Sequence, residues 1–459
     1  MDNDAEQLPL IEDDKYEPLP PLQLYKKSIS DLCTAPRELW LLFVIRFGII
    51  GGFSVFFLSL PIYITEVKSL PDITISIVYG ISGFNCMFYL LFFGSIPDRQ
   101  GIKFSLALGS FILIVNSTIF IFFTNSIIQF ASIIVLGSFA LVITSVALDL
   151  GIKHYTNLNY RSLAISLFTA VNYLALITGG VLIEVLMNTF DKSESTFRII
   201  FLFCGINFAV AFILSLFLRK LDYSVYQEQV LEHRESKSSF WKHTRHVLVL
   251  KKFWRLTVLV VVVLLIKIIF YQQTVILPLY MDRELGDDSH YGLMIILNQF
   301  VIILTLPLFT YFNYFSSPYD IFISGGVIAV LSLVPFMFGP SYLSIVLYII
   351  ISSLGESLYG PKVLEYSLGI SPKGKEGLIL ALISLPGILS SILSGVVAGV
   401  LLEEFCPEDG ERKCWLMWAI IGILALVGIL VLIVFRKCLE EPAFESQPYM
   451  PCSKESQGT

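Results

Sequence analysis

Gly94-Ser-Ile-Pro-Asp98-Arg99-Gln-Gly101-Ile-Lys103 stands where two apolar runs meet, and its residue types say how one run passes into the next. Gly94 lacks a Cβ and permits close helix contact, Asp98 ends one helix, and Gly101 supplies the turn. Arg99 and Lys103 then face lipid headgroups or carboxylates. A hairpin of apolar helices whose bend carries two cations belongs at a membrane surface.

The chain on either side has the composition such a bend needs. Of its 459 residues 55% are hydrophobic and 15% charged, with a mean hydropathy of +0.76; an ordinary soluble domain is roughly 25% charged. A single soluble core stops growing near ~300 residues, so the bilayer must solvate most of this chain. At about 20 residues per spanning helix, twelve apolar segments are predicted to cross it, at about 39–64, 73–97, 104–123, 126–150, 160–187, 196–218, 254–281, 291–315, 319–338, 342–369, 377–402 and 415–435. The longest polar interruption falls between the sixth and the seventh. The expected organisation is therefore a tail (1–37), a six-helix bundle (38–218), a charged linker (219–252), a second six-helix bundle (253–437) and a second tail (438–459). The first tail is acidic and proline-containing and reads as disordered; it lacks the apolar stretch of a signal peptide.

Lys and Arg gather in the loops on the side of the two chain ends, including Lys26, Lys27, Arg99, Lys103, Lys153 and Arg161. The opposite loops carry acids instead, such as Glu66, Asp191, Asp282 and Glu403. This asymmetry predicts cytosolic termini. The arithmetic leaves no room for a large soluble catalytic domain, and no Ser/His/Asp, Cys/His or metal constellation clusters in a loop, so neither an enzyme nor a cofactor is predicted. No long basic block suggests nucleic acid. His243 and His246 sit in a basic linker without further ligands, and no metal site is predicted. Among seven cysteines without a CxxC pair, Cys406 and Cys414 are the pair placed to form a disulfide, on condition that their loop faces an oxidising compartment. The sequon Asn116-Ser-Thr lies within the third span and cannot be glycosylated there.

The Gly94–Lys103 stretch resembles the G-x-x-x-D-R-x-G-x-K/R motif of the major facilitator superfamily, at the loop between helices two and three where that family has it. The resemblance implies an all-α integral membrane fold of twelve transmembrane helices in two pseudo-symmetric six-helix bundles. It also implies a gating role for Gly94, Asp98, Arg99, Gly101 and Lys103. Asp149, at the cytosolic end of helix four, is the expected partner of Arg99, forming the ion pair that in such proteins latches one state. The corresponding loop of the second half, Tyr311-Phe-Asn-Tyr-Phe-Ser-Ser-Pro-Tyr319, has no basic residue and no such motif.

A looser resemblance covers much of the chain and points to the proton-coupled oligopeptide transporters. Arg161-Ser-Leu-Ala-Ile-Ser-Leu-Phe-Thr-Ala-Val-Asn172 is similar to that family's helix-five stretch, and Phe270-Tyr-Gln272-Gln273-Thr274 to its aromatic-Gln-Gln segment in helix seven. The run from Asn298 through Pro307 to Tyr311 follows its helix-eight pattern. Gly355-Glu356-Ser-Leu-Tyr359-Gly-Pro361 resembles its helix-ten signature, whose Glu meets a peptide amino terminus. In helix one Arg46-Phe47 remains, but Leu42 and Ile45 stand where that family has two glutamates.

An unpaired charge at mid-bilayer costs at least ~2.5 kcal/mol on insertion scales, so each needs a cavity or a partner. Arg46 lies about two turns into helix one, and Lys267 and Glu356 lie near the centres of helices seven and ten. Tyr271 follows Lys267 and Tyr359 follows Glu356 at helical spacing, so each charge heads a polar stripe. Lys267 and Glu356 are expected to pair, either as a static buried ion pair or as part of a site, and Arg46 either meets an anionic substrate group or snorkels to headgroups. Asn85, Asn172 and Gln272 are further candidate substrate-binding residues, with interhelical hydrogen-bond glue as the other reading of Asn85 and Asn172. Lys362 and Glu365 read as an intrahelical or gate pair.

These residues predict a secondary transporter that moves a small solute by alternating access. A zwitterion such as an amino acid or small peptide suits Glu356 with Arg46 or Lys267, and Glu356 is the candidate proton carrier. A transporter of another solute (a sugar or organic anion) and a non-transporting receptor that keeps the fold are the alternatives. In the first tail, Glu6 with Leu10 and Ile11 resembles an acidic dileucine sorting signal, and Tyr16 with Leu19 a tyrosine-based one. By that analogy, cytosolic sorting adaptors are expected partners besides substrate, protons and lipid, and the address is endosomal, lysosomal or vacuolar.

Overall fold

The computed structural model describes residues 21–71, 73–157, 159–191, 193–219, 251–286, 291–313, 316–370, 376–407, 410–434 and 436. The tail motifs built on Glu6, Leu10, Ile11, Tyr16 and Leu19, the linker histidines and the second tail lie outside the described residues.

The first half comprises α1 (Pro21–Cys33), α2 (Arg37–Ile62), α3 (Ile73–Phe93), the short α4 (Ile96–Gln100), α5 (Ile102–Phe122), α6 (Ser126–Ser132), α7 (Ser138–His154), α8 (Arg161–Thr189) and α9 (Glu194–Leu216). The second comprises α10 (Lys251–Leu285), α11 (Tyr291–Phe312), α12 (Pro318–Leu331), α13 (Tyr342–Ile370), α14 (Glu376–Phe405) and α15 (Cys414–Val434). A π-helical turn, Ile133–Gly137, joins α6 to α7 as one span. Among the described residues ten helical stretches are long and apolar enough to cross a membrane. The helices α3, apolar over Ile77–Phe93, and α10 hold the second and seventh places, so each apolar segment of the sequence corresponds to a helix.

These segments are helices because lipid offers no partner to backbone N–H and C=O groups, and a helix satisfies them internally. Their side chains divide by neighbour rather than by water. On α9, Phe197, Phe201, Cys204 and Phe208 are buried, while Ile199, Leu202, Ile206 and Ile213 are exposed on the lipid side. Each half has its own core. Phe56, Phe120 and Phe201 pack with ring centroids 4.9–5.2 Å apart in the first, and Trp418 stacks on Phe336 at 4.2 Å in the second. The first core continues across the interface to Leu368, Leu380 and Ala381. The halves meet where α8 packs on α11 and α13, and α14 on α3 and α7.

Residues 21–33, expected as part of a disordered tail, are instead the helix α1. Its Tyr25, Ser28 and Leu32 lie at helical spacing, and the structure uses all three. Tyr25 Oη donates to Pro307 O of α11 at 3.1 Å, Ser28 Oγ donates to Asn159 O at 2.8 Å, and Leu32 is buried. The proline that suggested disorder sits at the first turn, where its missing N–H costs nothing.

Candidate functional site

The Gly94–Lys103 bend does more than turn the chain. Asp98, expected to end a helix, instead lies in the first turn of α4 and reaches across the interface, where its Oδ1 accepts from Gly377 N, 2.7 Å away, in the first turn of α14. A carboxylate at a helix N-terminus satisfies an orphan N–H and meets the positive end of the dipole. Glycine is required there by distance, since a Cβ on Gly377 would lie 2.9 Å from Asp98 Oδ1 and a Cβ on Gly94 2.3 Å from Ala381 Cβ. Gly101 has φ +90°, which β-carbon-bearing residues rarely adopt. Arg99 and Lys103 are exposed at the same surface.

Two further contacts close this end. Ser162 Oγ donates to Glu365 Oε2 at 3.0 Å, and Lys362 Nζ donates to the same oxygen at 2.8 Å, so the Lys362–Glu365 pair is both intrahelical and a bridge to the other half. One turn deeper the Ser166 and Thr310 hydroxyls meet at 2.5 Å. All these residues lie toward the ends of their helices nearest α1, and the interface is sealed on that side.

The charged residues converge above the seal. Arg46 Nη1 donates to Asp149 Oδ1 at 3.2 Å, and Nη2 donates to Asn172 Oδ1 of α8 at 3.3 Å. The guanidinium carbon sits 3.9 Å from the Phe168 ring centroid, a cation–π contact. Here the structure corrects the expectation for Asp149. Its partner is Arg46 rather than Arg99, because the two side chains meet where α2 and α7 pack beside α8, and they stay 15% and 27% exposed.

Next to Asn172 in sequence, Tyr173 Oη donates to Glu356 Oε1 of α13 at 2.7 Å. Asn298 of α11 donates to Ser353 Oγ of α13 at 2.9 Å. Lys267 acts on Glu356 through space, so the expected direct Lys267–Glu356 pair is replaced by one neutral donor, Tyr173, on the carboxylate. Lys267 Nζ and Tyr271 Oη converge on Gly387, each 3.9 Å from where its Cβ would be. Tyr359 is buried beneath Glu356, its ring centroid 5.9 Å from that of Phe322 and 6.3 Å from that of Phe270.

The remaining candidates divide. Asn85 Nδ2 donates to Ile134 O at 2.9 Å and ties α3 to the π-helical turn. Gln272 is fully buried, and among the described residues neither amide atom has a partner. Its neighbour Gln273 donates to Ser352 Oγ at 2.6 Å. Cys406 and Cys414 form a disulfide at the far end, where Arg283 Nη1 donates to Cys406 O. Tyr173, Phe168 and Gly377 carry no signal of their own in the sequence, and Asn298 marks only the start of the helix-eight pattern. The signal that could have found Tyr173 is its position beside Asn172, one helical step along the same cavity-lining helix.

Two bundles with a sealed end and a charged centre between them narrow the family, and the sequence profile of the Major Facilitator Superfamily matches residues 42–284 and again 273–451. The chain belongs to the major facilitator superfamily. It is a multi-pass membrane transporter and not an enzyme. No curated protein matches it in sequence. Among solved structures it is similar to a bacterial homologue of the iron transporter ferroportin in an outward-facing state (TM-score 0.65, 15% identity, 88% of this chain and 100% of that one). It is also similar to a POT family transporter in complex with 5-aminolevulinic acid (0.63, 15%, 88% and 97%) and to one in complex with a thioalcohol-conjugated peptide (0.62, 16%, 88% and 97%). At these identities the likeness is one of fold.

Proposed function

We propose that this transporter carries small zwitterionic solutes, amino acids or short peptides, by alternating access, with proton coupling and with its termini in the cytosol. One observation carries the reading. Adjacent residues of α8 hold opposite charges contributed by the two halves, Asn172 the guanidinium of Arg46 and Tyr173 the carboxylate of Glu356. A solute with an ammonium and a carboxylate a few bonds apart can engage Glu356 and Arg46 at once, and either charge alone leaves one residue unanswered. The seal through Asp98, Ser162 and Ser166 supports a state closed toward the terminal side, and its opening is the other half of the cycle.

Gly94, Arg99, Gly101 and Lys103 take the gating role with Asp98 in this scheme, while Lys267, Tyr271, Gln272 and Tyr359 shape the second-half wall around Glu356. The lysine and arginine asymmetry supports cytosolic termini, and the tail motifs support an endosomal, lysosomal or vacuolar membrane. Proton coupling falls in this scheme to Glu356. Reconstituted in liposomes, the protein is expected to accumulate labelled di- and tripeptides or amino acids when an inward-acid gradient is imposed. Uptake indifferent to the gradient points to facilitated diffusion, and uptake of sugars or simple anions in place of zwitterions overturns the substrate assignment.

A further inference from the structure

Beside the charged centre, α10 and α11 leave a polar pocket between them that the two charges of a zwitterion do not use. Gln273 and Thr274 of α10 face Asn298 and Gln299 of α11 across it, on a lining completed by apolar residues that include Leu277 and Ile349. It measures about 280 Å³, part of it open to solvent. Pockets that hold a whole ligand begin near ~300 Å³, so this one is sized for a side chain rather than a second solute.

Its place is set by α13. Gln273 Nε2 donates to Ser352 Oγ at 2.6 Å, and Asn298 Nδ2 donates to Ser353 Oγ at 2.9 Å. Both serines come one turn before Glu356, about 5 Å away along the helix, while the seal residues Lys362 and Glu365 lie beyond Glu356 in the other direction. Thr274 is exposed and follows Tyr271 on the face of α10 that carries Lys267, so the pocket opens toward the charged centre. A solute whose ammonium rests on Glu356 therefore has the side chain of the same carbon within reach of the pocket.

The lining selects what can enter. Its polar groups are amides and a hydroxyl, and among the described residues no ionisable side chain lines it. Gln299 Oε1 is buried and has no hydrogen-bond partner among the described residues. A buried acceptor left unpaired is unfavourable until a donor arrives. The Thr274 hydroxyl donates its proton to Tyr271 O at 2.9 Å, which leaves the lone pairs of its oxygen as the free capacity. Both groups meet an entering side chain as acceptors. A carboxylate would bring lone pairs to lone pairs, an ammonium would find no counter-charge, and an alkyl chain would leave Gln299 unanswered.

We propose that this pocket is a side-chain subsite for a carboxamide, a neutral hydrogen-bond donor, and that Gln299 sets the preference. The solute is then an amino acid with an amide side chain, or a short peptide that begins with one. This deepens the function proposed above and rests on it for the seating of the ammonium on Glu356.

Calorimetric binding to the purified full chain tests the subsite with glutaminyl-, glutamyl-, methionyl- and alanyl-alanine. The first three side chains are close in length and differ at the end group. Glutaminyl-alanine is expected to bind at least about 10-fold more tightly than the glutamyl and methionyl forms, because a site built to hydrogen-bond a group rejects analogues that lack it. Gln299→Leu should erase that preference and leave the affinity for alanyl-alanine, whose methyl stops short of the pocket, unchanged, which also shows that the fold survives. Gln299→Glu should in turn favour lysyl-alanine, a gain that loss of packing does not produce. Equal affinities for the glutaminyl, glutamyl and methionyl forms, or a preference that survives Gln299→Leu, overturn the subsite and leave the zwitterion reading standing. Independently of any zwitterion, butyramide should slow maleimide labelling of Met294→Cys, a substitution in the pocket lining, several-fold where butyrate does not. Labelling unchanged by butyramide overturns the subsite. Protection by butyramide in a protein that binds none of the dipeptides supports the subsite and sinks the zwitterion reading alone.

Discussion

The two halves treat their buried charges differently. In the first half Arg46 and Asp149 touch, and the cation is also held by Asn172 and Phe168. In the second, Glu356 is held by the neutral donor Tyr173, and Lys267 stands back from it. A touching pair is a competitor, because anything that binds one member must displace the other. A carboxylate held by a neutral donor keeps its charge on offer to an arriving ammonium. The difference assigns the halves separate tasks, with conditional recognition of the anion in one and standing recognition of the cation in the other.

Removing the charge of Glu356 should break this contrast most severely. Hydrogen bonds to charged groups contribute about 1.5–3 kcal/mol, so Glu356→Gln is expected to lower zwitterion uptake by about 10–100-fold, read as initial rates in liposomes. Arg46→Lys sharpens the contrast from the other side. It keeps the charge but loses the planar stacking on Phe168 and the two-pronged grip on Asp149 and Asn172, for an expected drop of about 10-fold in solute affinity, measured by thermal shift. Equal values for Arg46→Lys and wild type would mean that a point charge suffices.

The seal offers a comparison of its own, between the end where Asp98, Ser162 and Ser166 join the halves and the far end that carries the disulfide. Gly377→Val places side-chain atoms within 2.9 Å of the Asp98 carboxylate and should favour the state open on the terminal side, since a steric cost paid in one state shifts the population to the other. Thiol labelling of a cysteine at Thr310 should then become several-fold faster. The smallest effect belongs to α1. Tyr25→Phe removes one hydrogen bond to Pro307, worth about 1 kcal/mol, and should speed amide exchange in Pro21–Cys33 without touching solute affinity. Burial pushes the Tyr25 phenol up from its ordinary value, so the hydroxyl stays a donor through neutral pH and this contact should not weaken until the solution is strongly alkaline.

What could be read in the sequence depended on how local the cause was. Each spanning helix is a self-contained apolar run, so twelve runs gave twelve helices with ends shifted by a few residues. Helix α1 was missed because its buried stripe has only three members, Tyr25, Ser28 and Leu32, set in polar sequence after prolines. The charged centre was visible residue by residue, since Arg46, Lys267 and Glu356 are costly wherever they lie in lipid. Their partners were not, because pairing depends on how helices are rotated about one another. The sequence offers Asp149 a surface cation, Arg99, and only the packing of α2 against α7 brings it to Arg46. Tyr173 is neutral and raised no flag, yet it is the residue through which the first half touches Glu356. Asp98 looks in the sequence like the end of its own helix, whereas it lies inside α4 and caps a helix of the opposite half.

The central claim is that the site recognises two opposite charges on one solute, with Glu356 taking the ammonium and Arg46 the carboxylate. Its most direct test is calorimetric binding of a transported dipeptide to the purified wild-type protein, beside its N-acetylated and C-amidated forms. Each block removes one charged partner, and the account predicts that each weakens binding by at least about 10-fold, in keeping with the worth of a charged hydrogen bond. A blocked peptide that binds as tightly as the free one would contradict it.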